Sequence, residues 1–341
     1  MKKKMKILII GPAWVGDIVM AQTLFRWLKK RHPDLEIDVL APAWTKPLLD
    51  RMPEIHESLS SPFNHGELRF GDRYRLGVSL RERHYEQAIV LSNSYKSALV
   101  PYFAKISRRT GWIGEMRYGL LNDVRWLNKR HFPKMVQRFI ALGLEKGEPL
   151  PIELPYPQLQ ISPSSVNATL NRLSLSKSDE LILALCPGSE FGPSKQWPAD
   201  YYADIARAKL SEGWRVWLFG SVKDKEITDS IITATEHQAE NLSGMTELSE
   251  AVDLLSLASL VVTNDSGLMH IAAALGRSLI VIYGSTSPEF TPPLSKKAQI
   301  LRSSLSCSPC FKRTCPYRHH DCMKKLKPEQ ILEAATTIFS S

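Results

Sequence analysis

The chain has 341 residues, 43% hydrophobic and 23% charged, the balance of an ordinary globular protein with room for two domains. No stretch is long and apolar enough to span a bilayer, which excludes a helical membrane protein. The net charge of +9 is uneven: residues 1–150 hold 26 Lys+Arg against 15 Asp+Glu (+11), and the rest of the chain holds 18 and 20 (−2). A basic half suits an anionic partner, whether nucleic acid, an acidic lipid surface or a phosphorylated substrate, and equally suits a solvated surface. Much of the excess falls between Arg69 and Arg138, including Arg69, Arg73, Arg75, Arg81, Arg83, Lys105, Arg108, Arg109, Arg117 and Arg125.

The opening, Met1–Lys6 and then apolar residues, has the outline of a signal peptide, but Asp17 interrupts the apolar run and no small-residue cleavage site follows. Lys6–Ile10 is therefore read as a first buried strand, and a cytoplasmic location is expected. Gly11-Pro12-Ala13-Trp14-Val15-Gly16-Asp17 follows, then a helical run from Ile18 to Arg31. Two glycines after a strand match the first half of a phosphate loop, which would continue with lysine and a hydroxyl residue. Asp17 and Ile18 stand there instead, and Pro12 and Ala13 fail the glycine pattern of a dinucleotide fold. A carboxylate at a helix N-terminus reads either as a base or as a dipole partner worth about 0.3–1 kcal/mol.

Ile37–Ala41 and Ala88–Ser92 read as further strands and Lys134–Leu144 as a helix, the alternation of a parallel sheet covered by helices. Five prolines between residues 145 and 165 mark a linker, so domains of 1–165 and 166–341 are expected. A second alternating series follows, with strands at Leu181–Leu185, Trp214–Phe219, Leu260–Thr263 and Leu279–Tyr283 and helices at Asp200–Ser211, Leu248–Ser256 and Leu268–Leu275. Two doubly wound α/β halves would face each other across a cleft, with ligands at the carboxyl ends of the strands.

Three turns of the second half carry binding chemistry. Cys186-Pro187-Gly188-Ser189 through Lys195-Gln196-Trp197-Pro198 offers backbone N–H groups, Ser189 and the point charge of Lys195 to a phosphate. Gly220–Glu226 places Asp224 and Glu226 where an acid would bond ribose hydroxyls, or simply open a helix. Asn264-Asp265-Ser266-Gly267-Leu268-Met269-His270 joins a strand to a helix whose first N–H groups favour an anion. There Ser266 and Gly267 allow close approach, Asp265 fixes the loop or meets a sugar, and His270 lies one turn in, where it could face the same anion.

These strings, with Arg109-Thr110-Gly111-Trp112, Gly114–Asp123 and Phe290-Thr291-Pro292-Pro293-Leu294, resemble the ADP-heptose:lipopolysaccharide heptosyltransferases over Met5 to about Leu301, nearest to the type II branch. The resemblance implies a GT-B glycosyltransferase fold of two Rossmann-like domains, the second holding ADP-heptose and the first a heptosyl-Kdo2-lipid A acceptor at the inner leaflet of the inner membrane. It implies Asp17 as the base and Lys195, Ser189, Asp224, Asp265, Ser266, Gly267 and His270 around the donor. Trp14, Arg69, Arg73 and Arg117 would meet the acceptor. The final helix, from Pro328, would cross back to the first domain. No Asp-x-Asp string of the kind that often holds a catalytic metal is present, so no catalytic cofactor is expected.

A type I or III enzyme acting on a different inner-core acceptor is the alternative within the family. A nucleotide-sugar epimerase would need neither the base nor the basic half. A binder of lipid or nucleic acid would leave the loaded loops without a role, so no nucleic-acid partner is expected. Cys307, Cys310, Cys315 and Cys322, beside His319 and His320, form a C-x-x-C pair with two further cysteines, a candidate structural zinc set, with free thiols or redox disulfides as the other readings.

Overall fold

The computed structural model describes residues 4–63 and 66–340; the lysines at the very start of the chain and the last residue lie outside them. The chain divides into two compact units, Met1–Pro157 and Gln158–Ser341.

The N-terminal unit contains β1 (Lys6–Ile10), β2 (Glu36–Pro42), β3 (Glu57–Ser61), β4 (Gln87–Val90), β5 (Arg108–Trp112) and β6 (Asp123–Arg125), in the order β3-β2-β1-β4-β5-β6. The C-terminal unit contains β7 (Ile182–Cys186), β8 (Arg215–Leu218), β9 (Glu240–Asn241), β10 (Leu260–Asn264), β11 (Ser278–Tyr283) and β12 (Ala298–Arg302), in the order β12-β11-β10-β7-β8-β9. All pairings are parallel, and the two orders are the same when each unit is counted from its own first strand. This is the doubly wound order of nucleotide-binding folds, with its switch point between β1 and β4 in one unit and β7 and β10 in the other.

The central strands form because they are apolar on both faces. Ile7, Leu8 and Ile9 of β1 and all of Leu260–Asn264 are buried, as parallel strands sandwiched between helices must be. The strands passed over in the sequence, β3, β5, β6, β9 and β12, are short or polar elements toward the sheet edges, whose outer faces need no hydrophobic run.

In the C-terminal unit, Leu183, Leu185, Val216, Leu218, Val262 and Ile280 share a core with Trp197, Tyr202 and Ala206. The same core includes Ile331, Ala334 and Ala335 of the last helix, Pro328–Ser340, whose Phe339 ring stands edge-on to Trp214. That helix packs on the helix Ala199–Ser211 and on β11 of its own unit. The expected boundary at 165/166 falls inside the helix Pro163–Arg172. Pro163 opens that helix instead of continuing a linker, a position where its missing N–H costs nothing. Among the described residues no helix is long and apolar enough to cross a membrane.

Candidate active site

At the switch point of the N-terminal unit, the helix Val15–Arg31 starts three residues earlier than its apolar run suggested. Asp17 thus lies in its first turn, half-buried, with Lys29, Lys30 and Arg31 in the last turn, an arrangement that matches the helix dipole at both ends. The loop before it is pinned to the sheet, Gly11 N–H donating to Leu40 O at 2.9 Å and Ser92 Oγ donating to Gly11 O at 3.3 Å. A cavity of about 490 Å³ opens here, lined by Trp14 and Asp17 from the β1 loop and by Asn93, Ser94 and Lys96 from the segment after β4. Trp14 is 45% exposed, a ring free to cover a ligand.

Of the arginines assigned to an acceptor, Arg73 lines this cavity, and Arg117 is bound to Ser92 and Ser97, which line it. Arg117 is fully buried and donates to Ser92 O at 2.6 Å, to Ser97 Oγ at 3.2 Å and to Trp112 O. Burial lowers its pKa to about 10, so it stays charged at neutral pH. Arg73 donates to Lys96 O and Glu67 O, both at 3.1 Å, and lies over the Phe63 ring. Arg69, more exposed, donates to Pro62 O at 3.0 Å and pairs with Asp72 at 2.7 Å. The same holds along the whole basic stretch: Arg83 pairs with Glu57, Arg108 with Asp123 and Glu145, Arg125 with Asp123, while Arg81 and Arg109 donate to carbonyls. The arginines of residues 69–125 are thus largely spent on their own unit. Lys96, on the segment following β4 at the switch point, lines the cavity beside Arg73 and is a cation that reading the sequence for charge density missed.

In the C-terminal unit the loops after β7 and β10 meet. Asn264 joins them: its Nδ2 donates to Pro187 O at 2.7 Å, and its Oδ1 accepts from Tyr202 OH at 2.9 Å and Trp197 N–H at 3.3 Å. Nothing in the sequence distinguished this structural role from binding. Lys195 Nζ reaches Asp265 Oδ2 at 2.7 Å and Asp265 O at 3.1 Å, over the Phe191 ring. Thr286 Oγ1 donates to the same carboxylate oxygen at 2.6 Å, a partner that sequence reading missed because it comes from the loop after β11. Ser266 caps the helix Gly267–Ala274, its Oγ accepting from Met269 N–H at 3.4 Å, and the first turn holds no acid to oppose an anion.

Asp224 Oδ2 accepts from the backbone N–H and hydroxyl of Ser221, both at 2.8 Å. Its carboxylate lies against the β7 loop so closely that a Cβ on Gly188 would stand 2.4 Å from it. A side chain at Gly188 would have to displace that carboxylate, so Asp224 lies directly beside the β7 loop at Gly188. His270 is 5% exposed, and burial lowers its pKa to about 4, with Asp265 opposing the shift and Lys195 adding to it. It is a neutral imidazole at pH 7. Toward an anion it can therefore offer a hydrogen bond and not a positive charge.

The four cysteines of the C-terminal segment are free and, with His319 and His320, line one cavity of about 20 Å³. Among the described residues the three-donor group closed to within 4.8 Å is elsewhere, at Asp38, His56 and Glu57. That group is an ion-pair network, with Lys6 3.3 Å from Asp38, Tyr85 OH donating to Asp38 at 2.6 Å and Arg83 on Glu57.

The family model of glycosyltransferase family 9 (heptosyltransferase) matches residues 73–320. The chain is 51% identical over 338 residues to lipopolysaccharide heptosyltransferase 2 of Escherichia coli K12, covering 96% of this chain and 97% of that one. It is 49% identical to lipopolysaccharide heptosyltransferase 2 of Salmonella typhimurium, covering 98% and 99%. The solved structure of the E. coli ADP-heptose lps heptosyltransferase II superposes with a TM-score of 0.88 at 48% identity, over 98% of each chain.

Proposed function

The chain belongs to glycosyltransferase family 9, the heptosyltransferases, with the GT-B fold, and it transfers heptose in lipopolysaccharide inner-core assembly; on that premise we propose how its residues divide the work. The donor is ADP-heptose. The acceptor is the first heptose of heptosyl-Kdo2-lipid A, reached by peripheral contact with the inner leaflet of the inner membrane from the cytoplasm. Relatives at about half identity are type 2 enzymes, so the type I or III alternative is not favoured.

The observation that carries the assignment is the pairing of opposite charges with matching places in one topology. Asp17 sits in the first turn after β1, and Lys195 sits beside the acid-free helix start after β10. The acceptor hydroxyl is a poor nucleophile until a base removes its proton, and Asp17, a carboxylate in the first turn of a helix whose dipole favours negative charge, is that base. The hydroxyl oxygen attacks the anomeric carbon as the bond to ADP breaks, which inverts the anomer. Charge arriving on the diphosphate is stabilised by Lys195, by Ser189 and by the N–H groups at Ser266 and Gly267, with neutral His270 as a hydrogen-bond donor. Asp224, beside the β7 loop, and Asp265, which holds Lys195, complete the donor side. Trp14 covers the acceptor, with Arg69 at the edge of that unit's surface.

No catalytic cofactor enters this scheme. We propose Cys307, Cys310, Cys315 and Cys322 as a structural zinc set, because all four line one cavity of about 20 Å³. Metal analysis of protein purified under reducing conditions is expected to give about one zinc per chain; metal-free protein that retains full activity and stability contradicts it.

ADP release from ADP-heptose, measured with and without monoheptosyl-Kdo2-lipid A, tests the activity. Release that depends on this acceptor is expected. Release with Kdo2-lipid A or an extended core instead would change the acceptor, and no release with any of them would reject the scheme.

A further inference from the structure

Lys195 and Thr286 hold the same oxygen of Asp265 from two different loops. The residue before each, Ser194 and Ser285, is buried, at 2% and 1% exposure, and their hydroxyl oxygens lie 2.9 Å apart. Ser194 Oγ also donates to Lys312 O. With its one proton given to that carbonyl, Ser194 must accept from Ser285, so the hydrogen bonds run in one direction, from Ser285 to Ser194 to the backbone of the cysteine-rich segment.

That segment is fastened to both loops. Ser194 N–H donates to Arg313 O at 3.2 Å, Phe311 N–H to Ser285 O at 2.7 Å and Ser308 Oγ to Gly284 O at 2.7 Å. Gly192, with φ of 144°, lets the strap pass: a Cβ there would stand 2.6 Å from Arg313 O. The Arg313 guanidinium lies over Phe191, the ring that Lys195 also covers. The stretch 308–313 thus sits against the two loops that carry the partners of Asp265.

We propose that Ser194 is a positioning residue of the donor site, which through Ser285 and the Lys312 carbonyl fixes the spacing at which Lys195 and Thr286 hold Asp265. The cysteine-rich segment is then a working wall of the nucleotide-sugar site. This rests on the reading of Lys195 as the donor lysine.

The test is a cycle of Ser194→Ala, Ser285→Ala and the double variant, with KM for ADP-heptose and for the acceptor, kcat and melting temperature measured for each. Ser194→Ala leaves the Lys312 carbonyl and the Ser285 hydroxyl without their partner, and Ser285→Ala removes the bond that ties the β11 loop to Ser194; each is expected to raise the donor KM about tenfold, with the acceptor KM within about twofold. The double variant is expected to be no worse than the worse single, because both act through one chain of bonds. An unchanged donor KM in both singles, or donor and acceptor KM rising together, overturns the inference. Should Ser194→Ala fail to fold, Ser285→Ala carries the same readout. Lys195→Ala, run alongside, separates the two failures: an unchanged donor KM there overturns the donor-site reading and this inference with it, whereas a raised one with silent serine variants overturns only the inference.

Discussion

Between β1 and β4 the N-terminal unit presents a carboxylate, Asp17, in the first turn of a helix; between β7 and β10 the C-terminal unit presents a lysine beside a helix start without an acid. The strand order is the same in both units, and so is the place where the loops gather. The loop residues at that place differ in charge. Topology therefore sets where chemistry can occur, and a handful of side chains set its sign, so that one copy of the fold suits a proton acceptor and the other an anion.

The sharpest way to break this comparison is to neutralise its two ends. Asp17→Asn is expected to lower turnover about 10³-fold, within the range for removal of a general base, while ADP-heptose affinity stays close to unchanged. Lys195→Ala is expected to cost about 10²-fold in turnover and to raise the donor KM as well, because in the proposed scheme the ammonium meets the donor before and during bond breaking. Steady-state kinetics with both substrates varied checks the pair; a donor defect in the Asp17 variant, or its absence in the Lys195 variant, breaks the division.

The walls of the two units should respond differently from their sites. Arg117→Met removes the partner of the Ser92 carbonyl and the buried Trp112 carbonyl and is expected to destabilise the N-terminal unit by about 2 kcal/mol or more, with little change in acceptor KM in the protein that remains folded. Denaturant titration and acceptor kinetics check this, and an acceptor defect without loss of stability would return Arg117 to the binding surface.

A smaller effect separates the units by pH. The pKa of His270 is lowered from 6.5 to about 4, so between those values the unfolded chain binds a proton that the folded one refuses, and stability falls as pH drops through that window. Asp123 in the N-terminal unit behaves otherwise. Burial alone would raise its pKa, but Arg125, Thr110 and Arg108 hold it down at about 2, so its contribution is lost only as pH falls from 3.8 toward that value. Amide exchange is expected to show the helix Gly267–Ala274 losing protection at a higher pH than β6, and His270→Asn to flatten the upper window; loss in the reverse order contradicts this.

The central strands and the long helices were legible in the sequence because burial on both faces or one stripe leaves an unmistakable pattern, as in Ile7–Ile10 and Leu260–Thr263. The edge strands were not, since residues such as Glu57, Arg108 and Asp123 are polar and find partners distant in sequence, Glu57 in Arg83 and Arg108 in Asp123 of the next strand. The site was legible where local chain geometry makes it: Gly11–Asp17, Gly188–Lys195 and Asn264–His270 each follow a strand. It was hidden where the third dimension decides. A run of arginines looks the same whether it faces a ligand or, like Arg117, holds carbonyls. Thr286 and Lys96 reach their sites from loops that carry no signature of their own.

The most direct measurement is calorimetric binding of ADP-heptose to wild type, Asp17→Asn and Lys195→Ala, read beside acceptor-dependent ADP release from the same preparations. Near-wild-type donor affinity with turnover lost in Asp17→Asn, together with weakened affinity in Lys195→Ala, is the predicted result. Donor affinity that falls in Asp17→Asn, or survives intact in Lys195→Ala, would contradict the division of labour between the two units.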